Sequence, residues 1–360
     1  MTTSYNRTIA DTGRHDRSFD LRQELIILLK PVMPFGYRCL VVGLTLALFT
    51  GCAGNNPKAP ETDTATTPVQ TTTFSVNRPE QLPASLTIRM RDHRGYLFAL
   101  AKVNGRNAGM FMFDTGSSLN VISTGVAGRL RLPTAGSSVA TGVGGTQAFD
   151  FRPIKSLEFG GVDVAGGQMA AISMHGMSNA LGTSVSGLIG IRALGGLPFT
   201  LDYRDPSLTI YRRDAFEPPT GVPAFPARFD LVGLPVINAE VGNGHQVWLI
   251  LDSGADNALT LPRRCLNEWP EIVAVSSSGS GASSGVGGTV ASTRTWLGRL
   301  KIFGLDLKNT PVTFEQATGA LARQSKPIGR IGGEMLKNFR LTIDPKGRRI
   351  WALWLPGTDE

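Results

Sequence analysis

The sequence predicts an all-β protein built from two homologous lobes. Its 360 residues include 43 glycines and 22 prolines, and charged residues make up 18% of the chain. This composition suits strands and turns better than helices. A chain of this length can hold two domains, each with its own core. A set of short motifs also occurs twice in the same order, which indicates one architecture built two times.

The N-terminal part has the features of a targeting signal. Residues 40–50 carry no charge and follow Arg38; this stretch is shorter than the ~20 residues of a membrane span but is typical of a secretory signal. It ends at Gly51-Cys52, which resembles the lipobox of bacterial lipoproteins. We therefore expect a lipoprotein-type signal peptide over residues 33–51, translation from Met33, a gene-model extension over residues 1–32, and lipidation of Cys52.

The segment after the cysteine predicts a tether and a location. Residues 52–83 are rich in threonine and proline and cannot build a core. Asn55 and Asn56 lie near Cys52, with no aspartate directly after it. By resemblance to lipoproteins of bacteria with two membranes, this favours the outer membrane. We expect a periplasm-facing protein of the cell envelope, attached to the membrane by its lipid.

The internal repeat defines the two lobes. "MFDTGSSLNVIS" around Asp114 is matched by "LILDSGADNALTL" around Asp252, 138 residues later, and four further pairs follow in the same order at separations of 142 or 143 residues. They are TGVGGT/SGVGGT, LEFGGVDV/LKIFGLDL, GLIG/GRIG and LDYRDPSLTIY/IDPKGRRIWAL. We place the lobes at residues 84–214 and 230–358. The stretch between them, residues 215–229, contains four prolines and reads as a linker.

Each copy predicts strands joined by tight turns. Asn104-Gly105 lies between two apolar stretches, 97–103 and 108–113, and is a strong hairpin signal. The second copy has Gly242-Asn243-Gly244 in the same place. The glycine-rich segments suit the tips of mobile hairpins, because glycine accepts positive φ and lets the backbone approach what lies beneath. The candidate flap residues are Gly142, Gly144, Gly145, Gly285, Gly287 and Gly288.

This ordered set resembles the aspartic peptidases over roughly residues 86–355. The second copy is similar to retropepsin protomers, and the tandem arrangement is similar to pepsin. The resemblance implies the acid-protease fold, with the active site in the cleft between the lobes and Asp114 and Asp252 as the catalytic pair. It also implies loop support from Thr115, Gly116, Ser253 and Gly254, and close packing at Gly190 and Gly332. The sequence departs from the pattern in having no flap tyrosine and in placing Arg330 at a usually apolar position.

Two carboxylates can hydrolyse a peptide bond without a metal or a nucleophilic side chain. One deprotonates the attacking water and the other protonates the amide. Held about 3 Å apart they cannot both ionise, so they titrate as one unit. We expect no cofactor and no metal, because the four histidines are scattered without ligand spacing. Of the three cysteines, Cys39 and Cys52 belong to the N-terminal segment, which leaves Cys265 as an inert structural thiol.

Other interpretations remain open. The two aspartates could be turn-forming residues after strands, and the chain could be a non-catalytic peptide-binding protein of the envelope that retains the cleft. An enzyme with a single membrane neighbour as its target fits equally well. The expected partners are a peptide or protein substrate and the membrane, with a monomer as the active unit. Nucleic acid is not an expected partner, because the net charge of +8 is spread along the chain and is not concentrated in a basic patch.

Overall fold

The prediction of an all-β, two-lobed protein is confirmed by a computed structural model of the chain. The structure describes residues 78–142, 144–230, 232–274, 279–285, 288–316 and 328–355, together with 26–28, 41–42 and Val76. Most of the expected signal peptide, the tether apart from Val76 and residues 78–83, and Cys52 lie outside the described residues.

The first lobe is an eight-stranded sheet that closes on itself. Tyr96–Val103 pairs with Arg106–Asp114 on one side and with the end of Gly145–Phe159 on the other. This second pairing turns the sheet into a barrel-like lobe. In order across the sheet the strands are Arg91–His93, Tyr96–Val103, Arg106–Asp114, Gly187–Gly190, Val121–Ser123, Val162–Ile172, Gly145–Phe159 and Ser137–Gly142.

The second lobe repeats this strand order. Its strands in sequence across the sheet are Leu305–Glu315, Leu259–Pro262, Ile328–Ile331, His245–Leu251, Pro235–Val241, Gly288–Ile302 and Gly279–Gly285. Pairing of Gly288–Ile302 with Leu305–Glu315 again closes the sheet. Two short N-terminal strands, Ile26–Leu28 and Val41–Val42, are added in parallel to this sheet.

A third sheet of six strands joins the lobes. Phe199–Asp202 of the first lobe pairs antiparallel with Phe339–Asp344 of the second, and Thr200 lies opposite Thr342 with 2.7 Å between their Oγ1 atoms. The remaining strands are Ser85–Arg89, Ser207–Tyr211, Ala224–Pro226 and Arg349–Trp354. The proline-rich segment between the lobes therefore contributes a strand of its own to this sheet, and Arg228–Phe229 pairs with Pro235–Val241.

Local sequence explains the turns and the short helices. The hairpin expected at Asn104-Gly105 forms, with φ of 51° and 72° at these two residues, the left-handed geometry that such a turn requires. The side chain of Ser123 accepts a hydrogen bond from the Val126 amide and begins the first helix. Among the described residues, the α-helices are Thr124–Arg129, His175–Leu181, Arg263–Glu268 and Gly333–Leu336, and the 3-10 turns are Pro79–Gln81, Ile191–Leu194, Arg213–Ala215 and Pro270–Ile272. Within the described part of the chain, none of the helices has the length and apolar character needed to cross a membrane.

Buried apolar side chains form two clusters. The larger cluster runs through both lobes and the joining sheet, and includes Phe113, Phe199, Leu249 and Phe339. The smaller one belongs to the first lobe alone. Two ion pairs cross between the lobes beside the joining sheet, Arg213 with Asp344 and Arg340 with Asp202, each at 2.6 Å.

Candidate active site

Two equivalent strands deliver the two aspartates to one place. Arg106–Asp114 ends in four consecutive buried residues, the last of them Asp114, and His245–Leu251 ends directly before Asp252. Both carboxyl groups are fully buried, at 0% exposure. The apolar run before each aspartate is thus the part of a core strand that carries the carboxylate to the boundary between the lobes.

A short strand clamps each aspartate loop from behind. Gly187–Gly190 runs parallel to Arg106–Asp114 and antiparallel to Val121–Ser123, so that Gly190 lies opposite Asp114. A Cβ atom on Gly190 would stand 2.6 Å from the carbonyl oxygens of Ser117 and Leu119, closer than packing allows. Ile328–Ile331 has the same position in the second lobe, where Gly332 packs against the backbone of the Asp252 loop.

Thr115 and Ser253 brace the two loops against each other. The Thr115 hydroxyl donates to the Leu251 carbonyl at 2.6 Å and accepts from the Ser253 amide at 3.0 Å. The Ser253 hydroxyl donates to the Phe113 carbonyl at 2.9 Å and accepts from the Thr115 amide at 3.0 Å. These four bonds are buried and related by the pseudo-twofold axis, so they fix the position of one aspartate relative to the other.

Gly116 and Gly254 bring the carboxyl groups close together. The Gly116 amide donates to Asp114 Oδ1 at 2.8 Å, and the Gly254 amide donates to Asp252 Oδ1 at 3.0 Å. Each glycine also faces the opposite carboxyl group. A Cβ atom on Gly116 would clash with the carboxyl of Asp252, and a Cβ atom on Gly254 would clash with the carboxyl of Asp114. Only glycine permits this approach.

The pair shows the electrostatics of two acids in a dry site. Burial raises the pKa of Asp114 well above its usual range, and the charge of Asp252 raises it further, while the Gly116 amide acts in the opposite direction. Two tyrosines next to the pair stay neutral. Burial, with the nearby carboxylates, also raises the pKa of Tyr96 and of Tyr203. The site therefore favours a state in which one proton is held between Asp114 and Asp252.

Two hairpins meet near their glycine tips. Ser137–Gly142 pairs with Gly145–Phe159, and Gly279–Gly285 pairs with Gly288–Ile302. Gly144 of the first hairpin packs against the backbone of Gly288 of the second so closely that a Cβ atom would not fit. Gly145 and Gly288 have φ of 120° and 125°. Of the six candidate flap glycines, Gly287 lies outside the described residues.

Three charged residues of the second lobe adjoin the site, and sequence reasoning missed two of them. Arg330 and Glu315 form a buried ion pair, with 2.6 Å between Nη2 and Oε2. Burial raises the pKa of Asp256 to about 7. Arg330 was visible as a departure from an apolar pattern. Glu315 and Asp256 gave no signal, because an acidic residue at a strand end or in a loop is ordinary.

The remaining residues considered from the sequence either lie away from the aspartate pair or belong to the part of the chain that the structure does not describe. Cys265 is buried in the second lobe, and burial raises the pKa of its thiol to about 12, as expected of a structural thiol. In the described part of the chain, no group of three or more His, Cys, Asp and Glu side chains is placed to hold a metal ion.

Comparison with known proteins agrees with the geometry. Residues 99–193 match a family model described as aspartyl protease. The matched stretch includes Asp114 and the strand Gly187–Gly190, and it ends before the second lobe, so Asp252 lies outside it. The resemblance of this chain to aspartic peptidases is thereby confirmed, and the match supports a protease-like function. No curated protein matches the sequence.

Proposed function

We propose that this chain is an aspartic endopeptidase in which Asp114 and Asp252 activate a water molecule. The observation that carries the proposal is the pair of fully buried carboxyl groups, one from each lobe, held together by reciprocal hydrogen bonds of Thr115 and Ser253. A purely structural role for two buried acids facing each other would cost several kcal/mol of desolvation and repulsion without return.

The chemistry follows from one shared proton. The ionised carboxylate accepts a proton from water as the water oxygen attacks the scissile carbonyl carbon. The protonated carboxyl donates its proton to the carbonyl oxygen, which gives a neutral gem-diol. The proton taken from water then passes to the amide nitrogen, the C–N bond breaks, and the diol returns its proton to the second carboxylate as the new carboxyl group forms. The dyad ends in its starting protonation state.

The two glycine-tipped hairpins supply the cover that this chemistry needs. A substrate chain lying between them and the aspartates would be shielded from bulk water, which strengthens every electrostatic interaction inside the site. Because Gly144 and Gly288 touch each other, the hairpins must separate for a substrate to enter. We infer that the substrate is an extended peptide or an exposed protein segment.

The decisive experiment replaces each aspartate by its isosteric amide. Asp114→Asn and Asp252→Asn should each lower kcat/KM on a cleavable peptide by about 1,000-fold or more, and the double variant should be scarcely worse, because groups that act as a unit are not additive. Cleavage by the purified full chain is read by mass spectrometry from a diverse peptide mixture. Circular dichroism and the unfolding midpoint establish that the variants remain folded.

The same experiment separates the enzyme from a non-catalytic peptide-binding protein, the second interpretation of the cleft. A folded wild-type chain that binds peptides and releases them uncut would support the binding protein. Substantial activity in either folded single variant would show that the two carboxylates are not partners.

We propose further that the active unit is a monomer, because one chain supplies both lobes. Activity per chain should be independent of protein concentration. A rate that falls steeply on dilution, in parallel with dissociation of a dimer, would contradict a self-contained site.

The location stays a proposal derived from the N-terminal sequence. We propose a lipid-anchored protein facing the periplasm, attached through Cys52, with the outer membrane as its site. Labelled palmitate should enter the wild-type chain, and Cys52→Ser should prevent the labelling. Label that persists in the variant would overturn the anchor.

A further inference from the structure

The two lobes differ at one structurally equivalent pair of positions behind the aspartates. Leu188 lies opposite Met112, two residues before Asp114, and Arg330 lies opposite Ile250, two residues before Asp252. Each of these two residues has a partner position, which is the last residue of the strand that lies two strands away in the same sheet. This residue is Ile172 in the first lobe and Glu315 in the second.

The first lobe fills these positions with apolar side chains. Leu188 and Ile172 are 0% and 2% exposed, and both belong to the smaller hydrophobic cluster. The second lobe places an ion pair there. Arg330 and Glu315 are 7% and 6% exposed, and their Nη2 and Oε2 atoms are 2.6 Å apart. One fold thus accepts either an apolar pair or a charged pair at the same place.

The charged pair has a cost that the apolar pair avoids. Moving two charges out of water costs several kcal/mol per ion, and well-packed apolar residues of similar volume are often equally stable or more stable. The first lobe shows that such residues fit. The ion pair therefore points to a role other than stability.

Arg330 contacts Glu315 with one guanidinium nitrogen and faces Asp252 with another. Its Nε atom is 3.8 Å from Asp252 Oδ2 and makes no hydrogen bond with a described residue. Burial acts to lower the pKa of Arg330, but the charges of Glu315 and Asp252 outweigh it and hold the pKa above its usual range. The guanidinium thus stays charged throughout the pH range in which the carboxyl groups titrate. A fixed cation lies beside one aspartate, and an uncharged leucine takes its place beside the other.

We propose that Arg330, held by Glu315, is a positioning residue that keeps Asp252 ionised and leaves the shared proton on Asp114. This inference rests on the proposed aspartic endopeptidase activity. It makes Asp252 the base that accepts the proton of the attacking water and Asp114 the acid that protonates the scissile carbonyl oxygen. The order of proton transfer is then set by the second lobe before substrate binds.

Other groups around Asp252 do not remove this bias. Asp114 is the partner that holds the proton, and Tyr96 and Tyr203 are neutral because burial raises the pKa of each phenol. Asp256, on the loop of Asp252 itself, has its pKa raised to about 7 by burial and is largely protonated below neutral pH. The other charged groups act on these neighbours: Asp92 acts on Tyr203, and Arg294 and Glu334, which form an ion pair with each other, act on Asp256. The negative charge of Glu315 is balanced by its direct contact with the guanidinium of Arg330.

The test is the pH dependence of kcat/KM, which reports the titration of the dyad in the free enzyme. The acid limb marks the loss of the single carboxylate. Removing the cation should therefore move the acid limb to higher pH. The double variant Arg330→Leu/Glu315→Ile, which gives the second lobe the apolar pair of the first, should shift the acid-limb pKa up by about one pH unit or more. Because it replaces both charges together, we expect this variant to fold.

A second variant should shift the acid limb in the opposite direction. Glu315→Gln removes the countercharge but retains an oxygen that can accept from Arg330, so the full positive charge acts on Asp252. Its acid limb should move down, by about half a pH unit. A merely structural role would change the amplitude of the profile in both variants and would not shift the limb in opposite directions.

The matched control removes a different ion pair from the same hairpin. Arg299 contacts Asp306 near the turn that follows Gly288–Ile302, and Asp306 is 4% exposed. Arg299→Met should leave the acid limb where it is in the wild type. An acid limb within about 0.2 pH units of wild type in both Arg330→Leu/Glu315→Ile and Glu315→Gln would overturn the inference. That result would leave the activity of the dyad untouched, whereas failure of the proposed function would appear as a wild-type chain that leaves peptides uncut or as activity in the asparagine variants.

Discussion

The two lobes have the same strand order and the same aspartate loop but different surroundings behind the aspartate. The first lobe places Leu188 and Ile172 there, within an apolar cluster, and the second places Arg330 and Glu315. Four residues after the aspartates, Ser118 of the first lobe corresponds to Asp256 of the second. The difference shows which features the catalytic geometry requires of both halves and which are free to vary. Backbone topology, the hydroxyl brace and the loop glycines are shared, while the electrostatics are not.

Apart from the aspartates themselves, the largest effects should come from the shared loop glycines. Gly116→Ala and Gly254→Ala each place a methyl group against the opposite carboxyl, so the lobes must separate locally or the carboxyl must rotate away. We expect each variant to lose more than about 100-fold in kcat/KM and about 3 kcal/mol in the free energy of unfolding. Peptide cleavage and urea denaturation measure both.

A glycine in open space provides the control for these variants. Gly125 lies in the helix Thr124–Arg129 with no atom within 4 Å of an added Cβ. Gly125→Ala should leave activity unchanged and should raise the free energy of unfolding by up to about 1 kcal/mol, because alanine is the better helix former. Equal activity losses in all three variants would mean that the close approach to the carboxyls is not the cause.

The hydroxyl brace should show the next largest effect and a near symmetry between the lobes. Thr115→Val leaves the Ser253 amide and the Leu251 carbonyl without their partner, and Ser253→Ala leaves the Thr115 amide and the Phe113 carbonyl. Each unsatisfied buried group costs about 1–3 kcal/mol, and each variant leaves two of them, so we expect a loss of at least about 2 kcal/mol from each variant. Thr115→Ser, which keeps the hydroxyl, should retain most of the stability. A loss confined to one of the two positions would contradict the reciprocal arrangement.

Asp256 should make the stability of the chain depend on pH. Its pKa is raised to about 7 in the folded state from about 4 in the unfolded chain, so the folded state holds the extra proton between these values. Stability from this group is greatest at low pH and falls as pH rises from about 4 to 7, by about 4 kcal/mol at about 1.4 kcal/mol per pKa unit. Asp256→Asn should flatten this slope in urea unfolding measured across that range.

The equivalent position of the first lobe is the comparison. Ser118→Ala changes no titrating group and should leave the pH slope as it is in the wild type. A slope that survives in Asp256→Asn would assign it to another acid, with Asp114 as the first to examine because its pKa is raised as well.

The smallest effect should come from the pseudo-twofold axis itself. Thr200 and Thr342 share a hydrogen bond at 2.7 Å, and Thr200 Oγ1 also lies 3.0 Å from the Tyr211 hydroxyl. Thr200→Val should cost about 1 kcal/mol, because neither water nor Tyr211 can replace most of the hydrogen bonding that the Thr200 hydroxyl provides. Thr342→Val should cost less, because among the described residues the Thr342 hydroxyl bonds to Thr200 alone. Activity should be retained in both variants, since the aspartates are braced independently.

The amino-acid sequence by itself determined the repeated architecture. Strand periodicity, the Asn104-Gly105 turn and the two aspartate motifs are local patterns, and their order in two copies implied two matching lobes. A local pattern is legible in sequence because the turn residue or the apolar run acts on its immediate neighbours. The same patterns placed Asp114 and Asp252 at the ends of buried strands.

Only the tertiary structure decided which side chains meet across those strands. Thr115 reaches the backbone of residue 251, and Glu315 reaches Arg330. Gly144 touches Gly288. Each contact depends on the register of strands that are far apart in the chain, and register is fixed by the packing of whole sheets rather than by any single residue. The asymmetry between the lobes arises at this level. The arginine stood out in the sequence at a usually apolar position, but the glutamate did not, and the two become a buried charge pair only when two strands bring them together behind one aspartate.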